Sequence, residues 1–218
     1  MLIAIEGVDG CGKTSVAEEL ARRLKAEVIP FPNDAGVTGP IIRQYLKGEW
    51  AICKPFNERA GVVEPHLGAL AFQALQVMNR MEYMPRLMDA GLSEPEGPRI
   101  ILARYWQSGW VYGGLDGLDR DWLARVHETM AEPHLTLLLD ITPEEAMRRR
   151  AARDGELAPE RYEGKRDFVA RVVESYRELW KQHEGNGTWD VIDAMRPFSD
   201  VVTNCYERIL ESVEESDQ

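Results

Sequence analysis

The hydrophobic positions change period along the chain. Leu2, Ile3, Ala4 and Ile5 form an unbroken apolar run, the pattern of a strand buried on both faces. From Ser15 onward the period lengthens. Val16, Ala17, Leu20, Ala21 and Leu24 recur at helical spacing and predict a helix over residues 15–26. The same alternation repeats downstream. Strands are predicted over 27–31, 99–103, 135–139 and 189–192. Helices are predicted over 37–47, 66–90, 143–153, 167–183 and 199–213, with two short ones after 103. Pro85 lies inside the longest helical segment and predicts a kink, and 91–98 reads as a Gly/Pro/Glu loop. Strands alternating with helices predict an α/β fold, a mainly parallel sheet with helices on both faces.

Between the first strand and the first helix stands GVDGCGKT, residues 7–14, which fits G-x-x-x-x-G-K-[ST] without a mismatch. Strand, glycine-rich loop and helix are the setting that makes this pattern a phosphate site. Gly7, Gly10 and Gly12 let the backbone wrap an anion. The amides at the helix N-terminus carry the positive end of its dipole. Lys13 is expected on the β- and γ-phosphates and Thr14 on Mg²⁺. Gly7, Gly10, Cys11, Gly12, Lys13, Thr14 and Ser15 are therefore the expected contacts of ATP, with Thr14 as the metal ligand. Cys11 within the loop reads either as a redox-sensitive thiol or, more simply, as a small filler.

The chain has 218 residues, with 26 Lys and Arg against 37 Asp and Glu, a formal charge of −11. The length suits a single domain over 1–218 with a small mobile insertion. The acidic balance argues against gripping DNA or RNA, since such affinity comes largely from neutralising phosphates. Cys11, Cys53 and Cys205 lack metal-ligand spacing and do not suggest a disulfide framework. The first strand begins at the second residue, so no signal peptide is expected, and the apolar run 135–141 is too short to cross a bilayer. A cytoplasmic location is expected.

Against this acidic background Arg148, Arg149, Arg150 and Arg153 cluster ahead of a polar stretch, 154–165, containing Gly155, Pro159 and Gly164. Arg161, Lys165 and Arg166 lie near its end. Such a segment, about 150–165, reads as an arginine-rich lid that would close on a triphosphate and exclude water. A solvated face paired with Glu144 and Glu145 is the alternative.

The order of segments resembles the thymidylate kinase family of P-loop nucleoside monophosphate kinases over nearly the whole length. IEGVDGCGKTS is similar to that family's opening, ALAFQALQVMNR to its base-stacking helix, and ARYWQSGWVYGG to its DRYxxSxxAYQG segment. LLLDITPEEAMRRRAARDGELAPERYE is similar to its strand and lid, and WDVIDAMRPFSDVV to its adenine-side end. The resemblance implies a P-loop NTPase fold with a five-stranded parallel sheet, and transfer of the ATP γ-phosphoryl to a deoxynucleoside monophosphate. It implies that Asp9 holds the sugar 3′-hydroxyl, Phe72 stacks on the base, Arg104 grips the monophosphate and Tyr112 lies beside the sugar. Ser108 belongs to the same acceptor segment. Gly10 leaves the phosphate loop without an arginine, as in the bacterial type, so Arg149 and Arg153 are the expected catalytic arginines, with Arg161 behind them. From spacing alone Phe72 reads first as core of an amphipathic helix, and the resemblance reverses that order.

Four positions depart from the family pattern. Ala103 replaces an Asp, with Asp9, Glu6 and Asp140 as available substitutes. Gln76 stands where an Arg reads a thymine carbonyl, and Gly113 where a Gln faces the base edge. Asp34 replaces a phosphate-binding Arg, with Arg43 the nearest substitute. The two altered base-reading positions predict an acceptor other than simple dTMP, a larger or different pyrimidine deoxynucleotide or a broader set. A kinase acting on a modified nucleotide in DNA and a non-catalytic nucleotide-binding protein are the competing readings. The four histidines are dispersed and do not suggest a catalytic pair. Of Trp106, Trp110 and Trp122, Trp106 is expected to wall the pocket. Apolar Leu70, Leu75, Val77 and Met78 would permit a homodimer.

Overall fold

A computed structural model describes residues 1–47, 49, 65–92, 97–154 and 166–216. The strands are β1 (Leu2–Glu6), β2 (Glu27–Pro30), β3 (Ile100–Ala103), β4 (Leu135–Asp140) and β5 (Trp189–Asp193). They form one parallel sheet in the order β2-β3-β1-β4-β5, with Ile5 beside Ala103 on one side and beside Leu137 on the other. The helices are α1 (Lys13–Leu24), α2 (Gly39–Leu46), α3 (Pro65–Met81), α4 (Met84–Leu92), α5 (Trp106–Leu115), α6 (Arg120–His127), α7 (Pro143–Asp154), α8 (Arg166–Lys181) and α9 (Phe198–Ser216).

Side chains of β1 alternate between two cores, as a pleated strand requires. Ile3 and Ile5 pack with Val16, Ala17 and Leu20 of α1. Leu2 and Ala4 pack with Met84, Leu87 and Ala90 of α4. Both faces of the central strand are thus covered, which is why it reads as a continuous apolar run.

The long helix expected over 66–90 is two helices. Pro85 has no amide hydrogen, and its ring would strike the carbonyl four residues back. The α3 ladder therefore stops at Met81, Tyr83 turns back onto the Arg80 carbonyl at 3.0 Å, and Pro85 sits in the first turn of α4. Helix α4 also runs to Leu92, into the segment expected to be loop. The other elements agree with the periodicity to within a few residues. The segment 155–165, with Arg161 and Lys165, lies outside the described residues, as does Cys53.

Connections from β1 and β3, neighbours in the sheet, run to opposite sides. In such a sheet ligands bind at the carboxyl ends of the two diverging strands.

Candidate active site

The loop after β1 is shaped by three glycines with positive φ: Gly7 at 137°, Gly10 at 91° and Gly12 at 100°. A side chain at Gly7 would press to 2.7 Å from the Leu139 carbonyl oxygen, and one at Gly10 would collide with the Ala146 carbonyl oxygen. Lys13 turns back into the loop, where its Nζ donates to the carbonyls of Gly7 (2.9 Å) and Val8 (2.8 Å) and lies 3.8 Å from Asp9. Burial, and then the nearby Arg104 charge, lower its pKa. A phosphate reaching this point would find a cation already aimed inward.

A cavity of about 830 Å³ opens from this loop. Its wall includes Asp9, Gly10, Gly12, Lys13, Thr14 and Ser15 from the β1–α1 segment. Arg43, Phe72 and Gln76 come from α2 and α3, and Arg104, Ser108 and Tyr112 from β3–α5. Arg149 and Arg153 come from α7. Every expected site residue is there except Gly7 and Cys11. Cys11 is buried, and its amide is already bonded to the Val8 carbonyl at 3.2 Å. The wall also holds Arg80 and Arg150, so among the described residues seven cationic side chains face one carboxylate, Asp9. In a chain of formal charge −11, this concentrates positive potential in one cleft and suits a polyanionic ligand.

Arg104 follows β3 with φ 71°, a left-handed conformation uncommon for a side-chain-bearing residue. Its guanidinium pairs with Asp9 and points Nη1 at Gly7 O (3.4 Å), Ser108 Oγ (3.3 Å) and Tyr176 OH (3.5 Å). Burial, the largest single effect, works against its charge, but Asp9, Tyr112, Tyr176 and Glu6 together outweigh it and hold its pKa well above the ordinary value. Beneath it lies Glu6, fully buried. Oε1 accepts the amides of Tyr105 (2.6 Å) and Ser108 (3.2 Å), and Oε2 accepts Ser108 Oγ (2.8 Å) and Tyr176 OH (3.0 Å). The carboxylate thus satisfies free amides at the start of α5 and favours that end of the helix dipole. Burial and the neighbouring Glu6 push the Tyr176 phenol well above its usual pKa.

Of the four arginines clustered on α7, Arg149, Arg150 and Arg153 reach the cavity. Arg148 does not line it. It is solvent-exposed and pairs with Glu145 at 2.6 Å.

The thymidylate kinase family model matches residues 5–205. The chain belongs to the thymidylate kinase family. It is 33% identical to a probable thymidylate kinase of Pyrobaculum calidifontis over 201 residues, 92% of this chain and 91% of that one. It is 30% identical to a thymidylate kinase of Danio rerio, covering 98% and 93% of the two chains. A solved thymidylate kinase from Candida albicans, described as revealing the origin of broad substrate specificity and a novel structural element, superposes with TM-score 0.72. That pair is 26% identical over 98% of this chain and 92% of that one. Members of the thymidylate kinase family are nucleoside monophosphate kinases, and so is this chain.

Several departures from the thymidylate kinase pattern look different in three dimensions. Ala103 is buried at the cavity wall, beside Ile5. Of its three suggested substitutes, Glu6 is fully buried and Asp140 is tied to Arg177 at 2.9 and 3.0 Å. Asp9 alone of the three reaches the cavity. The arginine missed at Gln76 is offset one turn later by Arg80, 2% exposed, on the same wall. Its Nη2 donates to Tyr105 O at 2.7 Å, while Nε and Nη1 have no partner among the described residues. Burial lowers its pKa to about 10. Gly113 does not open volume for a base, because a Cβ there would already lie 2.7 Å from Leu123 and 3.2 Å from Gln73. The expectation of an enlarged base pocket is thereby corrected. Arg43 lines the cavity but is paired with Asp34 at 2.9 Å. Trp106, expected to wall the pocket, packs instead among His127, His183 and Trp189, with ring centroids 6.3 to 6.4 Å away.

Arg80 and Gln73 were missed by sequence reasoning, whereas Arg150 belongs to the arginine cluster expected to form the lid. Gln73, Gln76 and Arg80 recur at i, i+3 and i+7, which places them on one helix face. That spacing was the available signal. Phe72 is buried, and one of its ring faces stacks on Tyr45 at 4.4 Å.

No group of three or more His, Cys, Asp or Glu side chains among the described residues could hold a metal ion. A Mg²⁺ ion nevertheless fits, since it is characteristically held by few protein ligands plus substrate phosphates and water. Thr14, exposed at the cavity wall, is suited to that role. No helix of the described residues is long and apolar enough to cross a membrane.

Proposed function

We propose that the chain transfers the γ-phosphoryl group of ATP to the 5′-phosphate of dTMP, giving ADP and dTDP. The observation that carries this reading is the cationic cavity running from the phosphate loop to the α3 wall, lined among the described residues by seven cations and one carboxylate. Two phosphorylated ligands meeting end to end require such a surplus. An oxygen of the acceptor phosphate attacks the γ-phosphorus, and the bond to the β–γ bridging oxygen breaks. The protein's part is positioning and neutralisation of charge.

The loop amides and Lys13 hold the β- and γ-phosphates, and Thr14 would hold a Mg²⁺ ion, which would supply further neutralisation of phosphate charge. Arg104 holds the acceptor phosphate. Asp9 keeps Arg104 oriented and takes the sugar 3′-hydroxyl, with Tyr112 and Ser108 beside it. Phe72, Gln76 and Arg80 form the wall against the base. Arg43 reaches the acceptor phosphate if it leaves Asp34. Arg149 and Arg153, with Arg150 beside them, neutralise the transferring group as the lid segment closes. Because Gly113 opens no space and Arg80 restores a guanidinium, simple dTMP is the acceptor we favour over an altered base. A homodimer would use the outer side of α3, where Leu67 and Met78 are exposed. The cytoplasm is the expected compartment, and the whole chain would act as one domain.

The experiment is a coupled ADP-release assay with Mg·ATP against dTMP, dUMP, dCMP, dAMP, dGMP, ribose TMP and oligonucleotide DNA. The reading expects dTMP to give the highest kcat/KM. It is overturned if no monophosphate accelerates ADP formation, or if DNA or another monophosphate is preferred by more than about tenfold (about 1.4 kcal/mol).

A further inference from the structure

Gly109 and Gly113 lie one turn apart on the face of α5 that meets α3. The missing side chains leave a groove, which Gln73 shares with His127 and Leu123 of α6. A Cβ on Gly113 would lie 3.2 Å from Gln73 Cδ, and one on Gly109 would lie 3.3 Å from its Oε1. Gln73 is 1% exposed and lines the acceptor end of the cavity, yet its Oε1 accepts no hydrogen bond among the described residues. A buried amide oxygen without a donor is costly, and native structures seldom leave one without a reason.

We propose that Gln73 is a specificity-determining residue of the acceptor site, its Oε1 accepting the N3–H of a pyrimidine with a carbonyl on C4. The inference rests on the proposed monophosphate kinase activity and names the group that reads the edge of the base. Glycine at position 113 moves a glutamine amide from α5 to α3, and the groove is what admits it.

The chemistry of the wall selects the base. Arg80 presents donors only, with Nε and Nη1 unpaired among the described residues. Its Nη2 is bonded at Tyr105, whereas the Gln73 amide lies over Gly109. Tyr105 stands just before α5 and Gly109 within its first turn, so both groups belong to one wall. A donor and an acceptor on one wall are the pair that the adjacent C4 carbonyl and N3–H of a thymine or uracil ring call for. Cytosine presents an amino group to the arginine and a bare N3 to the glutamine oxygen. Rotating the Gln73 amide could satisfy that N3 but would leave the amino group against Arg80. Gln73 therefore sets a preference that Arg80 reinforces.

The test compares wild-type protein with Gln73→Leu and with the volume-matched Gln73→Met, using dTMP and dCMP as acceptors with saturating Mg·ATP. A site built to bond a substrate N–H loses discrimination when that group is removed. The expected result is a rise in KM for dTMP of roughly 10- to 100-fold, with kcat and the KM for ATP changed by less than about threefold. The dTMP-to-dCMP ratio of kcat/KM should fall by at least about tenfold. The inference is overturned if both folded variants, checked by thermal melting, keep the wild-type ratio. It is equally overturned if kcat falls and both KM values rise together, since Gln73 would then only pack α3 on α5. Failure of wild-type protein to phosphorylate any monophosphate would instead sink the activity on which the inference stands, so the two failures are distinguishable.

Discussion

Asp9 and Arg104 meet as an ion pair across the ends of two neighbouring strands, the carboxylate from the loop after β1 and the guanidinium from the residue after β3. The pair joins the two halves of the cavity, because Asp9 belongs to the phosphate loop and Arg104 to the acceptor segment. Arg104 also aims Nη1 at three oxygens, on Gly7, Ser108 and Tyr176. An ammonium cannot reproduce a planar fork with several fixed donors. Arg104→Lys should therefore lower kcat/KM for the monophosphate by about 10²-fold or more, the scale of losing one preorganised donor set, with little change in the KM for ATP. Steady-state kinetics with each substrate varied would check this. Equal losses for both substrates would contradict an acceptor role.

The three loop glycines differ in what surrounds them, and the difference is measurable. At Gly10 a methyl group faces both φ 91° and the Ala146 carbonyl oxygen. At Gly12 it faces φ 100° but nothing within 4 Å. Gly12→Ala carries the backbone penalty alone, about 1–2 kcal/mol. Gly10→Ala adds a backbone collision that only movement of α7 can relieve, and α7 carries Arg149 and Arg153. Urea unfolding should show the larger loss for Gly10→Ala. ATP binding by calorimetry should be abolished in that variant and only weakened in Gly12→Ala.

Glu6 accepts four hydrogen bonds while fully buried. Glu6→Leu would leave two amides and two hydroxyls without this acceptor at the floor of the site. Unpaired buried groups cost about 1–3 kcal/mol each, so the variant should lose at least about 3 kcal/mol or fail to fold. Tyr176→Phe removes one donor and leaves the carboxylate with three. Its cost should be near about 1 kcal/mol. Denaturant midpoints for the two variants give the comparison. Similar losses would mean that the network is not centred on Glu6.

Much of this was legible along the chain because it is local. The phosphate loop announces itself by glycines at fixed spacing, and β1 by an unbroken apolar run. The arginines of α7 are dense enough to stand out in an acidic sequence. What stayed hidden depends on contacts between distant segments. Gly113 looked like open space because the sequence does not show that Leu123 and Gln73 fill it. Arg80 drew no reading along the chain, yet it is buried against the Tyr105 carbonyl, 25 residues on. Asp140 looked available to replace the missing carboxylate at position 103 until Arg177 was found holding it. The single long helix failed differently. Its period continues past Met81, but Pro85 removes the hydrogen bond on which that period depends.

His127 gives the protein a stability that depends on pH. It is 2% exposed, its Nδ1 lies 2.6 Å from the Leu123 carbonyl oxygen, and its Nε2 has no partner among the described residues. Burial, and then the Arg80 charge, lower its pKa from 6.5 to about 3. The folded protein therefore keeps this ring neutral in a range where the unfolded chain protonates it. The unfolded state binds the extra proton, so stability rises with pH through this window. The contribution is fully present above the unfolded value of 6.5 and is lost progressively as pH falls towards 3. Lowering the pH from about 7 to about 5 should cost about 2 kcal/mol through this one group, at 1.36 kcal/mol per pH unit below 6.5. His127→Leu removes the titration while keeping an apolar filler. Urea unfolding of both proteins at the two pH values isolates the effect, because carboxylate contributions are common to both. The wild type should lose about 2 kcal/mol more than the variant. Equal slopes would show that the ring is protonated, or reached by water, in the folded state.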